Sequence, residues 1–261
     1  KARLSINIET LVANLVEKKQ PGIIRKQVQS LWGEYARLHG KMKRWFPELE
    51  DHGLWNDQER FKTVVCEGCW PLHPLSVWTL YKLSAVGKSL QQRSALSLLA
   101  EVYDEVETSD FSHGRAIVPV DLCNDSLLAE FLASERFGQA GAAAHAYETV
   151  LSKYGPELGN KEVRVLKAVL LTSKLNAKAT SKEDHVQALA VFSGLGLNEI
   201  KRCLAVLENE LAALKWNEQI LRYEIVEDAV PRRAFLEYLQ AKIHDIDSQQ
   251  RERIFIQNYK T

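Results

Sequence analysis

The residues with the most evident chemical potential are concentrated between positions 66 and 99 of the sequence. They are a cysteine pair, a histidine between two prolines, a Gly-Lys-Ser triplet and an arginine that opens an apolar helical pattern: Cys66, Cys69, His73, residues 87–89 and Arg93. Thiolate and imidazole ligands suit zinc, whereas a Gly-Lys-Ser triplet can end a phosphate-binding loop. An arginine at a helix start can contact nucleotide phosphates. The stretch therefore raises three alternatives: a zinc site, a phosphate loop and a nucleotide-sensing arginine.

The cysteine pair does not complete a zinc site. A structural zinc ion takes four ligands, usually from two close pairs. Cys66, Cys69 and His73 supply three, and the next cysteine, Cys123, stands alone. A redox role is not favoured either, because a redox C-x-x-C motif follows a strand and opens a helix. We therefore expect buried thiols and no bound metal.

The Gly-Lys-Ser triplet does not complete a phosphate loop. A P-loop requires a second glycine five positions earlier, after a buried strand, and Lys82 occupies that position. The residues before it follow a helical pattern. The triplet therefore predicts a turn between two helices, and neither a Walker A sequence nor an apolar strand ending in a Walker B carboxylate is present.

Composition limits the class of protein. The chain has 261 residues, of which 46% are hydrophobic and 26% charged, as is typical of soluble globular proteins. Lys+Arg and Asp+Glu both number 34, so no overall charge attracts nucleic acid or a membrane. Neither a signal peptide nor an apolar run near the ~18 residues of a membrane span is evident. The four cysteines do not form a disulfide framework of the secreted kind. We therefore expect a cytoplasmic protein, and the start at Lys1 suggests a piece of a longer one.

Helical periodicity dominates the first half of the chain. Apolar stripes predict helices over residues 8–20, 23–46, 75–86, 89–106 and 126–155. The first stripe places Leu15 in the core, Pro71 and Pro74 suit the entry to the helix over 75–86, and residues 116–120 suit a short strand. The first half is therefore predicted to be almost entirely α-helical.

The second half predicts a different arrangement. Helices are expected over 160–175, 181–195 and 199–216, with Asn160, Ser181 and Asn198 as N-caps. Gly194 and Gly196 make a tight turn between the last two helices. The two-residue alternation over 217–228 predicts a β-hairpin, and 231–246 a closing helix. This order of elements predicts a winged helix-turn-helix with a small β-wing.

The stretch from Trp70 to Leu99 resembles the lid segment of large bacterial AAA+/STAND-type P-loop ATPases. It is most similar to phage-defence ATPases of the BREX group (BrxC/PglY-like), which carry a Tyr-Pro-Leu-His-Pro box, a helix, a glutamine and then an arginine opening the next helix. Residues 71–74 match the box, with Trp70 in place of its aromatic, and Gln92-Arg93-Ser94 match the second part. The more distant origin-recognition and STAND ATPases also place an arginine at the start of a lid helix and a winged helix after it, so the resemblance covers roughly residues 60–240.

The resemblance implies a division of the chain and a set of site residues. Residues 1–60 are a helical segment that follows or embellishes an ATPase core, 61–155 a helical lid bundle, 156–245 the winged helix and 246–261 a tail or linker. Arg93 is the implied phosphate sensor or finger, with Gln92 and His73 as further nucleotide-binding candidates. ATP with Mg would be bound mainly by a core outside this chain. The implied partners are that core or neighbouring subunits and other defence-system proteins.

Two readings from other classes stay open. One is a stand-alone winged-helix module that binds protein or DNA without nucleotide, and the other is an α-helical scaffold with a surface arginine. Over residues 161–243, 13 Lys+Arg stand against 11 Asp+Glu, a net charge of only +2. Phosphate contacts supply most of the affinity of a DNA reader, so we expect nucleic-acid binding to be weak and non-specific, with no membrane binding.

Overall fold

The computed structural model describes residues 8–86, 92–108, 116–135, 142–227, Phe235 and 238–242. Within these residues the chain is mostly helical, as predicted, with one two-stranded antiparallel sheet near its C-terminal end. The helices of the first part are α1 (Ile8–Leu15), α2 (Pro21–Trp45), α3 (Gly53–Asn56), α4 (Gln58–Arg60), α5 (Pro74–Tyr81), α6 (Gln92–Thr108), α7 (Asp125–Ser134) and α8 (Ala143–Tyr154). Short 3₁₀ turns occupy Pro47–Asp51, Pro119–Leu122 and Gly155–Glu157, and π-helical segments extend α4 and α5 over Phe61–Gly68 and Lys82–Val86.

The first two helices follow the apolar pattern with one exception. α2 buries Val28, Tyr35 and Met42 along the predicted stripe. Leu15 was expected in the core, but it ends α1 and is 62% exposed. The prediction is wrong at Leu15 because α1 packs through Ile8 and Val12, which leaves Leu15 on its exposed side.

α1 approaches the π-helical segment Phe61–Gly68 very closely. A Cβ atom at Gly68 would lie 2.8 Å from the Cβ of Ala13, a distance that real side chains do not adopt. Glycine at this position therefore lets α1 lie on the segment. The carboxylate of Glu9 is fully buried beneath α1 and accepts a hydrogen bond from Trp55 Nε1 at 2.7 Å.

The expected strand over 116–120 is not a strand. Ile117 makes a single parallel bridge with Leu72, and Pro119 already begins a 3₁₀ turn that ends at Leu122. The turn closes because the carboxylate of Asp121 accepts a hydrogen bond from the N–H of Val118 at 2.8 Å. The extended backbone is therefore limited to the one position where it docks against the entry to α5.

The last part of the chain is a three-helix and hairpin arrangement, named here the C-terminal unit. It contains α9 (Asn160–Lys174), α10 (Lys182–Ser193), α11 (Leu197–Ala205) with a π-helical extension over Val206–Glu210, β1 (Leu214–Asn217) and β2 (Arg222–Ile225). The three helices pack on one another, and β2 packs on α9 and α10. The strands are antiparallel, with Leu214 opposite Ile225 and Asn217 opposite Arg222. Gly194 ends α10 in the left-handed conformation, with φ of 70°.

Several predicted boundaries of this unit are corrected. Ser181 caps α10 as predicted, but Gly159 and Gly196 hold the N-cap positions assigned to Asn160 and Asn198. The helix predicted over 199–216 ends early: Ala212 has a φ of 51°, and the N–H of Ala213 turns back to the carbonyl of Leu207. Residues 214–216 consequently form β1, whose backbone must be extended to pair with β2.

Specific contacts join the C-terminal unit to the helices before it. The N–H of Lys178 donates to the carbonyl of Trp45 at 2.8 Å, and Trp45 Nε1 donates to Asp184 at 3.2 Å. The guanidinium of Arg164 donates to Asp121 and to the carbonyl of Ser193. One continuous hydrophobic core extends from Ile8 to Tyr223. The C-terminal unit is therefore packed into the same core as the preceding helices.

No helix within the described ranges combines the length and the apolar character needed to cross a membrane.

Candidate functional site

The Pro-Leu-His-Pro box is fixed by its own backbone. The N–H of Ile117 donates to the carbonyl of Pro71, and the N–H of His73 donates to the carbonyl of Ile117, both at 2.9 Å. The hydroxyl of Ser76 adds a third bond to the same Ile117 carbonyl at 2.7 Å. Pro74 is the first residue of α5, as predicted, because its fixed φ suits the first helical turn. The box therefore anchors the start of α5 to the segment that follows α6.

The ring of His73 caps this helix. Its Nδ1 accepts a hydrogen bond from the N–H of Leu75 at 3.2 Å, so the neutral ring carries its proton on Nε2. The edge of the ring packs against Tyr35, with 5.8 Å between ring centroids. Burial lowers the pKa of His73 to about 4, so the ring is neutral near pH 7. One nitrogen is thus engaged in capping, and the assignment of His73 to nucleotide binding stays a prediction.

The structure describes the backbone of Gln92 and Arg93 within α6, and the residues directly before Gln92 lie outside the described ranges. The place of Arg93 at a helix start therefore stays a prediction. The side chains of both residues, and the whole Gly-Lys-Ser triplet at 87–89, lie outside the described residues. Farther along α6, Ala95, Leu98 and Val102 are buried. The contact of Arg93 with a phosphate therefore stays a prediction that rests on its place at the helix start.

The thiols of Cys66 and Cys69 are buried and protonated. Cys66 is 1% exposed and Cys69 is fully buried, and the Sγ of Cys69 donates to the carbonyl of Glu9 at 3.4 Å. Burial raises the pKa of Cys69 to about 12 and that of Cys66 higher still. A neutral thiol is a poor nucleophile and a poor metal ligand. Within the described parts of the chain, no group of three or more His, Cys, Asp or Glu side chains could hold a metal ion.

A groove of about 450 Å³ lies between α10 and α11. Its lining combines apolar side chains such as Val186 and Leu204 with charged ones such as Lys201, and Leu197 among them is 49% exposed. The ammonium group of Lys182 lies 5.1 Å from the ring centroid of Tyr223 and 3.4 Å from a carboxylate oxygen of Glu208. The hydroxyl of Tyr223 donates to the same carboxylate at 3.2 Å. This network stabilises the hairpin against the C-terminal end of α11.

α11 carries charges of both signs. Lys161 pairs with Glu199 at 2.6 Å, which places a carboxylate at the start of α11. Lys201 and Arg202 follow within the next turn, and both are exposed. The Glu199 carboxylate also accepts from the N–H of Gly196, which caps the helix. A phosphate backbone approaching this helix would meet acidic and basic groups together.

His185 is the buried polar residue that sequence reasoning missed. It is 1% exposed, and neither ring nitrogen has a hydrogen-bond partner among the described residues. Its ring centroid lies 5.9 Å from that of Trp216 and 6.0 Å from that of Tyr223. Burial, and secondarily the charge of Arg222, lower its pKa to about 4. The sequence did contain a signal for this burial, because His185 shares the buried face of α10 with Leu189, which lies four residues farther along.

Comparison with protein-family models, with curated proteins and with solved structures finds no match to this chain.

Proposed function

We propose that this chain is the lid and winged-helix part of an ATP-dependent ATPase of the AAA+/STAND type, acting in the cytoplasm as a switch or assembly motor in bacterial antiviral defence. The observation that supports the proposal is that Arg93 lies near the N-terminal end of the described part of α6, the helix that follows α5 and the Pro-Leu-His-Pro box. In this proposal α9, α10, α11 and the hairpin form the winged helix.

The docking of the box supports a lid role. A sensor arginine is useful only if movement of its helix is transmitted to the rest of the protein. Ile117, which follows α6 in the chain, is hydrogen-bonded to the box on both sides of Leu72. From the next turn, Asp121 bonds to Arg164 of α9 at 2.8 Å. A short chain of direct contacts therefore joins the box to the C-terminal unit.

The proposed chemistry of Arg93 follows from its side chain. Guanidinium is planar, permanently charged and able to donate two parallel hydrogen bonds to phosphate oxygens. Placed near the γ-phosphate, it would stabilise the charge that develops during transfer to water. Gln92 and His73 are the proposed neighbours on the nucleotide. ATP and Mg would be held mainly by the core of the same polypeptide or of a neighbouring subunit, and other defence-system proteins would be its further partners.

The test is ATP turnover by the full-length polypeptide. Arg93→Ala is expected to lower turnover by ~10³-fold if the residue acts as a finger. Arg93→Lys should not restore full activity, because an ammonium group lacks the bidentate fork. Arg37→Ala is the matched control, since Arg37 is exposed on α2 and far along the chain from the box. Unchanged turnover and nucleotide affinity in Arg93→Ala would refute the sensor role.

A second candidate is a winged-helix interaction module that works without nucleotide. The observation that favours it is the groove between α10 and α11, where apolar side chains are combined with charges of both signs. Acidic groups such as Glu199 on α11 oppose phosphate, whereas mixed charges suit a protein surface. We therefore propose protein contacts for this face, to the same polypeptide or a neighbouring subunit.

A DNA titration separates protein from nucleic-acid recognition. At physiological salt we expect the chain to bind duplex DNA no tighter than ~10⁻⁵ M, within the non-specific range. Binding in the sub-micromolar range that depends on the sequence and is lost in the double variant Lys201→Ala/Arg202→Ala would identify DNA as the partner. Lys215→Ala is the control, because Lys215 is exposed on the hairpin rather than on α11.

A further inference from the structure

The outward face of α2 is exposed along its whole length in the described part of the chain. The opposite side of the helix enters the core through Val28, Tyr35 and Met42. Four exposed residues follow Lys26 by about two, three, four and five helical turns, so all five lie in one line, named here the outer row: Lys26, Gly33, Arg37, Gly40 and Arg44. From its first residue to its last, the row is ~27 Å long.

The outer row is basic, although the chain as a whole is neutral. α2 contains six Lys or Arg residues and one Glu, so its net charge is +5. Among the described residues, no ion pair involves Lys26 or Arg37. The side chain of Arg44 is 55% exposed and lies 3.8 Å from Asp184. Glu34, the acidic residue of α2, lies to one side of the row. The balance of charges over the chain therefore conceals a local positive surface.

The composition of the row is unfavourable for the helix itself. Arg37, Lys41 and Arg44 are spaced as i, i+4 and i+7, so like charges are neighbours and repel one another. A Cβ atom added at Gly33 or Gly40 would meet no atom within 4 Å, so packing in the described structure does not require glycine there. Glycine inside a helix is less stable than alanine because it loses more conformational freedom on folding. A negatively charged partner that approaches closely would use both features.

The backbone of a nucleic-acid duplex has the charge and the shape for this face. A duplex is a stiff rod with one negative charge per ~1.7 Å of its axis, so a straight row of cations can follow it. Proteins that bind single strands stack bases on aromatic side chains, and protein interfaces depend on buried aromatic or apolar anchors. The outer row contains neither kind of residue. Its cations and glycines therefore favour phosphate contacts over base stacking or protein packing.

We propose that the outer row of α2 binds the phosphate backbone of double-stranded nucleic acid, without regard to sequence. Arg37 and Arg44 donate to phosphate oxygens through their planar forks, and Lys26 contributes a point charge. Gly33 and Gly40 let the phosphates come close to the helix. Contacts to phosphates carry no base information, so the affinity stays in the non-specific range at physiological salt. The surface is separate from α11 and from Arg93, and its test contains no nucleotide, so it stands or falls independently of the ATPase proposal.

The experiment measures binding of the whole chain to DNA duplexes of about 20 base pairs, which are longer than the row. Fluorescence anisotropy follows the titration for two unrelated sequences at about 50 and 200 mM salt. We expect a dissociation constant of ~10⁻⁶ M at the lower salt and a loss of about 10²-fold at the higher one, because about four phosphate contacts release their counterions. Both sequences should bind equally well.

A charge variant locates the binding on the molecule. Arg37→Ala/Arg44→Ala should weaken binding at least about tenfold at the lower salt and reduce the slope of log K against log salt by about 2. The matched control is Lys201→Ala/Arg202→Ala, which removes two exposed cations from α11 and should bind as the wild type does. The ATP turnover assay contains no nucleic acid, so Arg37→Ala remains a valid control there.

A glycine variant separates close approach from any role in the fold. Gly33→Gln/Gly40→Gln leaves the charge unchanged and has space at both positions. Because glutamine is the better helix former, the midpoint of thermal unfolding should rise by ~2–4 °C. The larger side chains should nevertheless hold phosphates away from the helix and weaken duplex binding about threefold or more. A variant that is more stable and yet binds less tightly identifies a contact surface.

Four outcomes would overturn the proposal. The first is no duplex binding up to ~10⁻⁴ M protein at the lower salt. The second is binding that Arg37→Ala/Arg44→Ala retains and Lys201→Ala/Arg202→Ala loses, since α11 would then be the site. The third is tighter binding to a single strand of the same length than to the duplex. The fourth is equal binding to a poly-glutamate peptide of the same charge, because the row would then recognise an acidic protein segment.

Discussion

The helices before residue 155 and the C-terminal unit are stabilised in different ways. The first region contains an aromatic cluster (Phe46, Trp55, Phe61, Trp78 and Tyr81) in which the Trp55 and Trp78 ring centroids are 5.1 Å apart and those of Trp78 and Tyr81 are 5.0 Å apart. Four of these side chains are fully buried. The C-terminal unit instead has capped helices and a hairpin held by a polar network around Glu208. Large aromatic rings are thus prominent in the core of the first region, whereas polar contacts add to apolar packing in holding the hairpin of the C-terminal unit.

This difference indicates where each region can change. A close-packed aromatic cluster responds to the loss of volume, because the surrounding side chains relax only partly. His73 in the first region and His185 in the C-terminal unit both have a pKa that burial lowers to about 4, so both regions respond to protons. Substitutions in the two regions therefore test the contrast in packing.

The largest effect is expected from Trp78→Ala. Trp78 is fully buried at the centre of the aromatic cluster, so its removal should lower the free energy of unfolding by about 4 kcal/mol. Trp216→Ala is the matched variant in the C-terminal unit, and it should cost about half as much because Trp216 is only half-buried. Urea denaturation measures both. Equal losses would remove the proposed contrast between the two regions.

The second prediction concerns pH. The folded pKa of His185 is about 4, below the unfolded value near 6.5, so the unfolded state binds the extra proton first as the pH falls. The contribution of His185 to the free energy of unfolding is complete above pH 6.5. It falls progressively as the pH is lowered to 4, by about 3 kcal/mol in all. His185→Phe should remove the part of this pH dependence that comes from His185, while His73, whose pKa burial also lowers to about 4, keeps its own part. Urea denaturation at several pH values checks this, and an unchanged slope in the variant would exclude His185 as the cause.

The third prediction concerns the link between the two regions. Arg164 donates two hydrogen bonds to the carbonyl of Ser193, at 2.9 and 2.7 Å, and one to Asp121 at 2.8 Å. Arg164→Ala should therefore lower the free energy of unfolding by about 2 kcal/mol, because charge-assisted bonds are lost and the Asp121 carboxylate loses this guanidinium partner. Arg202→Ala, at an exposed position of α11, should change it by no more than about 0.5 kcal/mol. Similar losses in both variants would refute a specific role for Arg164.

The smallest effect is expected at a helix cap. The hydroxyl of Ser181 accepts a hydrogen bond from the N–H of Asp184 at 3.2 Å, so Ser181→Ala should cost about 1 kcal/mol. Ser30→Ala is the control. Ser30 lies within α2 at an exposed position, where alanine is a better helix former than serine. Thermal unfolding of both variants compares them. A lower midpoint for Ser30→Ala than for Ser181→Ala would contradict the assignment of the cap.

The sequence predicted best those features that depend on neighbours in the chain. The apolar stripe with a 3.6-residue period from Val28 to Met42 predicted α2. The two-residue alternation around Tyr223 predicted the hairpin. Ser181 was recognised as a cap because its hydroxyl needs only a backbone N–H three residues away. Pro74 was placed correctly at a helix start for the same reason, since proline fixes its own φ. Local geometry is encoded by local residues, so these predictions were confirmed.

Predictions failed for both long-range and local reasons. Residues 214–216 carry a helical pattern, but pairing with β2 extends them. The segment after residue 115 suggested a strand, but only Ile117 meets a partner, because Asp121 closes a turn directly afterwards. Leu15 belongs to an apolar stripe and is nevertheless 62% exposed. Pairing with a distant strand set one boundary, and a side chain three residues away set another.

The same division applies to the candidate sites. The mostly helical class and the balance of charges on α11 could be read from the sequence pattern. The capping role of the His73 Nδ1 atom and the burial of His185, whose ring nitrogens have no hydrogen-bond partner among the described residues, became evident in the folded structure. Burial and hydrogen-bond saturation are properties of contacts between residues far apart in the chain, and a linear pattern carries no distances between them.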